Sequence, residues 1–204
     1  MSAVEEPDAV AWEAYPHHHE WFSKLYVAER AGHICAPGGV PVPKSGYYCV
    51  RPIINLAGMG VGATCKWMEK GQRTGVPPGF FWCEWFEGPH LSVTYDWNGV
   101  WEPQSVWEGF NSVRALYRFH KWEKRSIDIA PKLIGMEELS DVETINVEFI
   151  NGNIIEVHLR ESPDPAGTVI TPVWADNLPE DTYLEAFDDG SGFLPVPRLG
   201  FIVN

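Results

Sequence analysis

The chain has 204 residues, 45% of them hydrophobic, which is enough to bury the core of one ordinary domain or of one domain with two lobes. Its formal net charge is −13 with only 15 Lys and Arg, which excludes a general nucleic-acid binder, because such proteins need basic side chains to displace counterions from phosphates. The 19 Gly and 17 Pro favour short strands and many turns, so we expect an α+β protein with a majority of strands.

The sequence also predicts a soluble, cytoplasmic protein without a membrane partner. No stretch approaches the roughly 18 consecutive apolar residues that span a bilayer, and the initial segment MSAVEEPDAV is acidic where a secretory signal would be basic. The cysteines form no C-x-x-C pair that would indicate zinc or redox chemistry; they are Cys35, Cys49, Cys65 and Cys83. Free thiols in a reducing compartment are the simpler interpretation.

Residues 1–20 are predicted to form an acidic, polar arm that ends in His17-His18-His19. Three adjacent histidines resemble a metal site, but neighbouring side chains point in different directions, which favours a solvated turn over a chelate. From Trp21 onward, apolar residues at helical spacing predict a short amphipathic helix that stops at Gly32.

The middle of the chain is predicted to consist mainly of strands. The runs YYCVRPII, ATCKWME and FFWCEWFEG read as strands separated by loops, and Asn98-Gly99 is the strongest short hairpin signal in the chain. Five basic residues follow among aromatics over 109–126, and PKLIGMEELSDV predicts a second helix. The Pro-rich, acidic residues 162–204 are expected to wrap around the rest as an extension.

The segment ETINVEFINGNIIEVHLR predicts a hairpin whose alternation sorts residues by face. One face carries the apolar residues Ile145, Val147, Phe149, Ile155, Val157 and Leu159, and the other carries Asn146, Glu148, Glu156, His158 and Arg160. A three-residue loop at 151–153 sets Glu148 across from Glu156 and Asn146 across from His158. A two-residue loop would set Glu148 beside Ile155 and mix the two faces, so the three-residue loop is favoured.

The opposed glutamates of this hairpin are a candidate metal site. Two carboxylates facing each other on a partly buried surface repel, so they need a cation between them or a raised pKa. Magnesium, which binds through one or two carboxylates plus substrate phosphates, meets that need. A solvated polar face is the alternative.

A glycine cluster, Gly58-Met59-Gly60-Val61-Gly62, lies between two predicted strands. Its spacing is not that of a Walker loop, and no helix follows as a dinucleotide fingerprint requires. Arg51, at the end of the preceding strand, would place a cation beside backbone N–H groups, a combination suited to polyphosphate. A plain hairpin turn is the alternative here, and core aromatics with a structural histidine are the alternative for WCEWFEGPHLSV.

Taken in order, these segments resemble the ATP-grasp superfamily, which includes biotin carboxylase and the D-alanine:D-alanine ligases. FSKLYVAERAGHICAPGG resembles the helix that opens the ATP-binding core, with Lys24 as a phosphate contact. YYCVRPIINLAGMGVGA resembles the strand and glycine loop over the phosphates, with Arg51 in place of the usual lysine and with Gly58, Gly60 and Gly62 in the loop. CEWFEGPHLSV resembles the hinge strand, with Trp85 and Phe86 at the adenine edge, Glu84 near its amino group and His90 toward the ribose.

INVEFINGNIIEVHLR in turn resembles the two-glutamate metal motif of that superfamily, which makes Glu148 and Glu156 metal ligands and Arg160 a contact to the transferred phosphate. The superfamily normally has Asn two positions after the second glutamate, where this chain has His158, so Asn146 opposite is a candidate substitute ligand. The resemblance implies ATP and Mg²⁺, or Mn²⁺ instead, as cofactors. It also implies catalytic roles for Lys24, Arg51 and Arg160.

The resemblance covers residues 21–161 and implies a fold of two small antiparallel lobes with few helices and the nucleotide between them. The expected divisions are a glycine-loop lobe over 33–82, a hinge over 83–90 and a metal lobe over 91–161. Arg114 or Arg118 is a further candidate for lining the phosphates. The N-terminal lobe that commonly binds substrate is missing, so a partner protein that supplies it is one expectation.

The implied function is an ATP-dependent ligase that joins a carboxylate to an amine or a thiol. A degenerate module that binds nucleotide or a partner protein without turnover is the alternative. An aromatic-rich binding or virion protein without a nucleotide site would explain the ten Trp but leaves the opposed glutamates unexplained.

Overall fold

The computed structural model describes residues 7–54, 60–72, 75–112, 115–163, 166–177, 185–186 and 196–204. These residues form two antiparallel sheets with two α-helices and three short 3₁₀ helices, which confirms the predicted α+β class. Within this part of the chain, no helix has the length and apolar character needed to span a membrane.

The N-terminal residues fold onto the body of the protein, so the prediction of a polar arm is wrong for residues 7–20. Helix α1 spans Pro7–Ala14, a 3₁₀ helix spans Pro16–Phe22, and helix α2 spans Lys24–Arg30. Asp8 and Ala11 of α1 are buried, because this helix covers the main hydrophobic core. The predicted amphipathic helix corresponds to α2, which is capped by Ser23 and followed by Gly32 at φ +74°.

The smaller sheet has four strands: β1 (Cys35–Pro37), β2 (Gly46–Pro52), β3 (Thr64–Met68) and β4 (Phe80–Glu84). Their order is β1-β4-β2-β3. One face packs around Tyr48 and Trp82, and Phe81 and Cys83 on the opposite face pack with Ala28 of α2. Because alternate residues of a strand point to opposite faces, this leaves Arg51 of β2 on the side of α2.

The larger sheet has eight strands in the order β11-β12-β10-β7-β6-β5-β8-β9. They are β5 (His90–Trp97), β6 (Trp101–Ser112), β7 (Ala115–Lys124), β8 (Thr144–Ile150), β9 (Asn153–His158), β10 (Val169–Trp174), β11 (Glu185–Ala186) and β12 (Arg198–Val203). The Asn98-Gly99 hairpin is confirmed, with Trp97 paired to Trp101. The C-terminal residues do not merely wrap around the protein, since β10 and β12 extend this sheet and bury Ile170 and Phe201.

The main core lies between α1, the first 3₁₀ helix and α2 on one side and one face of β5, β8 and β9 on the other. Its fully buried side chains include Tyr95, Ile145 and Leu139. The second helix predicted over 131–142 is absent from the described residues, where only the 3₁₀ helix Glu137–Leu139 forms. Pro131 and Gly135, the latter at φ +79°, interrupt the helical pattern in this segment.

The β8–β9 hairpin has the predicted pairing but not the predicted loop. Asn151 and Gly152, at φ +50° and +77°, form a two-residue turn of the type that favours Asn-Gly. A bulge on β9 adds the one residue needed to set Glu148 opposite Glu156 and Asn146 opposite His158. The bulged residue is Ile155, which therefore leaves the face of Val157 and Leu159, and Ile154 packs against the core instead.

Candidate functional site

A cleft with a volume of about 110 Å³ lies between the two sheets. Its walls come from β2 and β4 of the small sheet, from α2, and from β5 to β9 of the large sheet. Ten of the residues proposed from sequence line it: Lys24, Arg51, Gly60, Glu84, Trp85, Phe86, His90, Glu148, Glu156 and His158. The fold therefore brings together residues that lie up to 134 positions apart in the chain (158 − 24).

Lys24 and Glu156 form a buried ion pair at one wall of the cleft. Lys24 is the first residue of α2, and its Nζ lies 2.8 Å from each carboxylate oxygen of Glu156 on β9. The two side chains are only 4% and 12% exposed. Removing one member of such a pair leaves the other charged and buried, so the partners are energetically dependent on each other.

Glu148 lies across from Glu156 and is paired with His90 instead. The His90 Nε2 is 3.2 Å from Glu148 Oε2, and the His90 ring meets Phe119 and Trp122 edge-on. Burial alone would raise the pKa of Glu148, but the hydrogen bond and positive charge of His90 outweigh it and lower the pKa to about 2. Glu148 is thus an ionised carboxylate across the physiological pH range.

Arg51 brings a second buried cation to the cleft. Its Nη2 donates to the Ile155 carbonyl over 2.8 Å, and its guanidinium lies 5.2 Å from the centre of the Phe81 ring. Burial opposes the charge, whereas neighbouring Cys83 and Cys49 and the two glutamates raise the pKa of Arg51. Within the described part of the chain the buried Arg51 Nε has no hydrogen-bond partner. A buried donor left unpaired is costly, so this nitrogen is suited to an acceptor supplied by a ligand.

Asp8 of α1 completes a buried network at the end of β9 that sequence reasoning missed. The Asp8 Oδ1 is 3.0 Å from His158 Nδ1 and 2.6 Å from Arg160 Nε. Burial would raise the pKa of Asp8, but His158 and Arg160 hold it well below its usual range. Burial likewise lowers the pKa of His158, but Asp8 raises it above the ordinary value overall. No local pattern links Asp8 to residues 150 positions away, so no signal in the sequence could have identified this contact.

Asp8→Asn is expected to lower the free energy of unfolding by about 3–5 kcal/mol, because it leaves His158 and Arg160 without their buried counter-charge. The lowered pKa of Asp8 stabilises the fold above about pH 4, and this contribution is lost as the pH falls. The raised pKa of His158 stabilises it below about pH 6.5, and this is lost as the pH rises through the folded value. In urea unfolding, Asp8→Asn should therefore lower the free energy of unfolding more at about pH 5 than at about pH 9.

Glu13→Gln is the matched control for Asp8→Asn, because Glu13 lies on the same helix and is exposed. It should change the free energy of unfolding by less than about 0.5 kcal/mol. Equal losses for Asp8→Asn at both pH values would show that the Asp8–His158 pair does not form.

The four cysteines occupy one row across the small sheet. Cys35 is opposite Cys83, Cys83 is opposite Cys49, and Cys49 is opposite Cys65. All four are free thiols, as expected, and Cys49 and Cys83 line the cleft. A hydrogen bond from the Cys83 thiol outweighs burial and lowers the pKa of Cys49 to about 7.

Solved structures with a similar architecture include a protein from Archaeoglobus fulgidus that is described as belonging to the ATP-grasp superfamily. It superposes with a TM-score of 0.51 at 12% sequence identity, over 91% of this chain and 65% of that protein. The chain has an ATP-grasp fold. No protein-family model and no curated protein matches its sequence.

Two further structures are similar to this ATP-grasp fold at lower scores. An L-amino acid ligase from Bacillus licheniformis gives a TM-score of 0.47 at 14% identity, over 76% of this chain and 46% of that one. The ATP-grasp ligase PsnB, complexed with a minimal precursor, gives a TM-score of 0.41 at 12% identity, over 76% of this chain and 59% of that one. The chain thus spans less than two thirds of the length of each of the three proteins.

Several residues expected at the nucleotide site of the ATP-grasp fold do not line the cleft. Arg160 is turned to Asp8, and the Asn146 amide exchanges hydrogen bonds with the Ser92 hydroxyl. Arg118 of β7 forms a two-armed ion pair with Asp176. Asp176 follows β10, the strand that neighbours β7 on the side away from β6. Gly62 has φ +79° but does not line the cleft either, and Gly58 and Arg114 lie outside the described residues.

The end of the cleft at which adenine was expected also differs in detail from the expectation. Glu84 Oε1 accepts a hydrogen bond from the Ile34 N–H over 3.0 Å, which ties its side chain to the segment after α2. Phe86 meets the His33 ring edge-on at 4.7 Å. Residues 85–89, between β4 and β5, are not in a strand and form the connection between the two sheets.

Proposed function

We propose that the protein binds ATP with Mg²⁺ in this cleft and uses it to join a carboxylate to an amine, or to a thiol, through an acyl phosphate. The observation that carries the proposal is the convergence of two buried cations and two opposed carboxylates between the sheets of an ATP-grasp fold. Small-molecule carboxylates and amines are the substrate class that this chemistry takes.

The phosphate end is assigned to Lys24 and Arg51. Both are buried cations that line the cleft, and Arg51 Nε is a donor without a partner among the described residues. Charge-assisted hydrogen bonds to phosphate are among the stronger polar contacts in proteins. Gly60, which also lines the cleft at φ +60°, would allow backbone N–H groups to approach the same phosphates.

The metal end is assigned to Glu148 and Glu156. Oxygen ligands from one or two carboxylates are what Mg²⁺ or Mn²⁺ takes from a protein when substrate phosphates supply the rest. When bound, the cation neutralises charge on the phosphates. His158 is better suited to orient Glu156, since its Nε2 lies 3.7 Å from Glu156 Oε1 and its raised pKa favours the cationic form, which is no metal ligand.

The adenine end is assigned to the connection between the sheets. Trp85 and Phe86 would offer backbone groups to the edge of the base, and Phe119 and Leu116 supply apolar surface in the same cleft. His90, held by Glu148, lies at the start of β5 between this connection and the carboxylates. In this arrangement the base would meet the connection, the ribose would meet His90, and the phosphates would meet the buried cations.

The expected reaction begins with attack of a substrate carboxylate on the γ-phosphoryl group, which yields ADP and an acyl phosphate. An amine then displaces the phosphate, so that ATP, carboxylate and amine give ADP, phosphate and an amide. Lys24 and Arg51 would contribute by positioning and by offsetting negative charge rather than by proton transfer. A surface from a partner protein that completes the substrate side is part of the proposal.

The direct test is release of ADP and phosphate from Mg-ATP by the purified protein with pooled carboxylates and amines. Release that depends on both an added carboxylate and an added amine is the expected result. Release that requires neither would contradict the ligase assignment.

A nucleotide-binding module without turnover is the second candidate, and the mutual neutralisation of Lys24 and Glu156 favours it. In that case ATP raises the melting temperature but no substrate mixture releases ADP, and Glu156→Gln changes no measurable rate. Nucleotide binding and turnover, measured side by side, separate the two functions.

A further inference from the structure

The histidine run outside the cleft is not a solvated turn. His18 is buried, and the Nε2 atoms of His17 and His18 lie 2.6 and 2.7 Å from the two oxygens of Asp141. Asp141 is more than 120 positions away, in the turn before β8. His18 has non-helical angles of φ −115° and ψ 19° within its 3₁₀ helix, and the rings of His17 and His18 are 4.2 Å apart, so two neighbouring side chains point the same way.

The three side chains offer ligand atoms at a spacing close to that of a metal site. These atoms all lie within 4.8 Å of one another. Bonds of about 2.0–2.2 Å to a tetrahedral Zn²⁺ place neighbouring ligand atoms about 3.3 Å apart. The N···O distances of 2.6 and 2.7 Å, each to a different oxygen of Asp141, are about 0.6 Å shorter than this, so the imidazoles have to move away from the carboxylate for an ion to enter.

The donor set selects the kind of metal. Two imidazole nitrogens and one carboxylate oxygen suit zinc and its transition-metal neighbours, whereas magnesium and calcium prefer oxygen ligands alone. His17 and Asp141 are 57% and 51% exposed at their side chains, so an ion can reach the cluster from solvent. His19 does not belong to the set, because it stacks on Trp12 and its Nε2 is 2.8 Å from the Trp12 carbonyl oxygen.

We propose that His17, His18 and Asp141 form a Zn²⁺ site that fixes the N-terminal helices to the body of the protein. The ion would join the 3₁₀ helix that leads into α2 to the turn that leads into β8. The elements that follow them, α2 and β8, carry Lys24 and Glu148, and both of these residues line the cleft. Three protein ligands leave a fourth position for water.

Calorimetric titration of the full chain with Zn²⁺ tests the proposal and does not require ATP binding. One Zn²⁺ per chain is expected to bind, and a free concentration about 100-fold above Kd should raise the melting temperature by about 5–10 °C. His17→Ala removes an exposed ligand but keeps the His18–Asp141 contact, so the variant should fold. Its Zn²⁺ affinity should fall by more than about 100-fold, beyond the effect of losing an outer-shell partner.

Asp141→Asn should have the same effect on Zn²⁺ affinity, and His120→Ala is the control, because His120 is exposed on β7. Titration with Co²⁺ identifies the ligands, since thiolate ligation gives an intense near-ultraviolet band that nitrogen and oxygen ligands do not. Three results would overturn the proposal: no Zn²⁺ binding, binding that His17→Ala leaves unchanged, or a thiolate band that assigns the ion to the cysteines.

Discussion

Lys24→Met is expected to weaken ATP binding by about 100-fold, the equivalent of about 3 kcal/mol for a lost charge-assisted contact. The same variant should lower the free energy of unfolding by about 3–5 kcal/mol, because Glu156 is left buried and charged without its partner. Calorimetric titration with Mg-ATP and urea unfolding measure the two effects separately.

The double variant Lys24→Met/Glu156→Gln separates binding from stability. It removes both charges of the buried pair, so it should recover part of the lost stability while ATP binding stays weak. Lys66→Met is the matched control, since Lys66 is exposed on β3 and should change neither property measurably. If the double variant binds ATP as tightly as the unmodified chain, Lys24 is a structural residue and not a phosphate contact.

Glu148→Gln and Glu156→Gln are each expected to reduce Mg²⁺-dependent turnover by at least 100-fold, because an amide cannot replace an ionised carboxylate as a ligand for a hard cation. The low pKa of Glu148, about 2, means that its charge is present throughout the pH range of the assay. The measurement is ADP release as a function of Mg²⁺ concentration in the presence of substrate.

Glu143→Gln provides the control for both glutamates, because Glu143 is exposed just before β8 and does not line the cleft. It should leave the Mg²⁺ dependence unchanged. Circular dichroism and urea unfolding establish whether the Glu156 variant is still folded, since Lys24 then lacks a buried counter-charge. Variants that are folded and retain full Mg²⁺-dependent turnover would remove the two glutamates from the proposed metal site.

The resemblance that the sequence suggested is confirmed at the level of fold, and the reasons are local. Alternating apolar residues and Asn-Gly turns define hairpins independently of the rest of the chain, so β5–β6 and β8–β9 could be predicted. The pairing of Glu148 with Glu156 was predicted from the same alternation, and the structure shows it. The bulge at Ile155 could not be predicted, because strict alternation along a strand gives no signal for an inserted residue.

The structural predictions from sequence were wrong where contacts between distant parts of the chain determine the local structure. The polar composition of residues 7–20 indicated an arm, but Asp8 folds inward to meet His158 and Arg160. That contact also turns Arg160 from the cleft. Residues 162–204 lack a strong alternating pattern, yet the segments that form β10 and β12 find partners in the large sheet. In each case a favourable partner elsewhere in the chain overrides the local preference.

Calorimetric titration of ATP into the unmodified chain tests whether ATP with Mg²⁺ binds in the cleft between the two sheets. The titrations are run with Mg²⁺ and with a chelator in its place. One ATP should bind per chain, and its affinity should fall when Mg²⁺ is chelated and also in the variant Lys24→Met/Glu156→Gln. The absence of ATP binding with Mg²⁺ present would contradict this prediction.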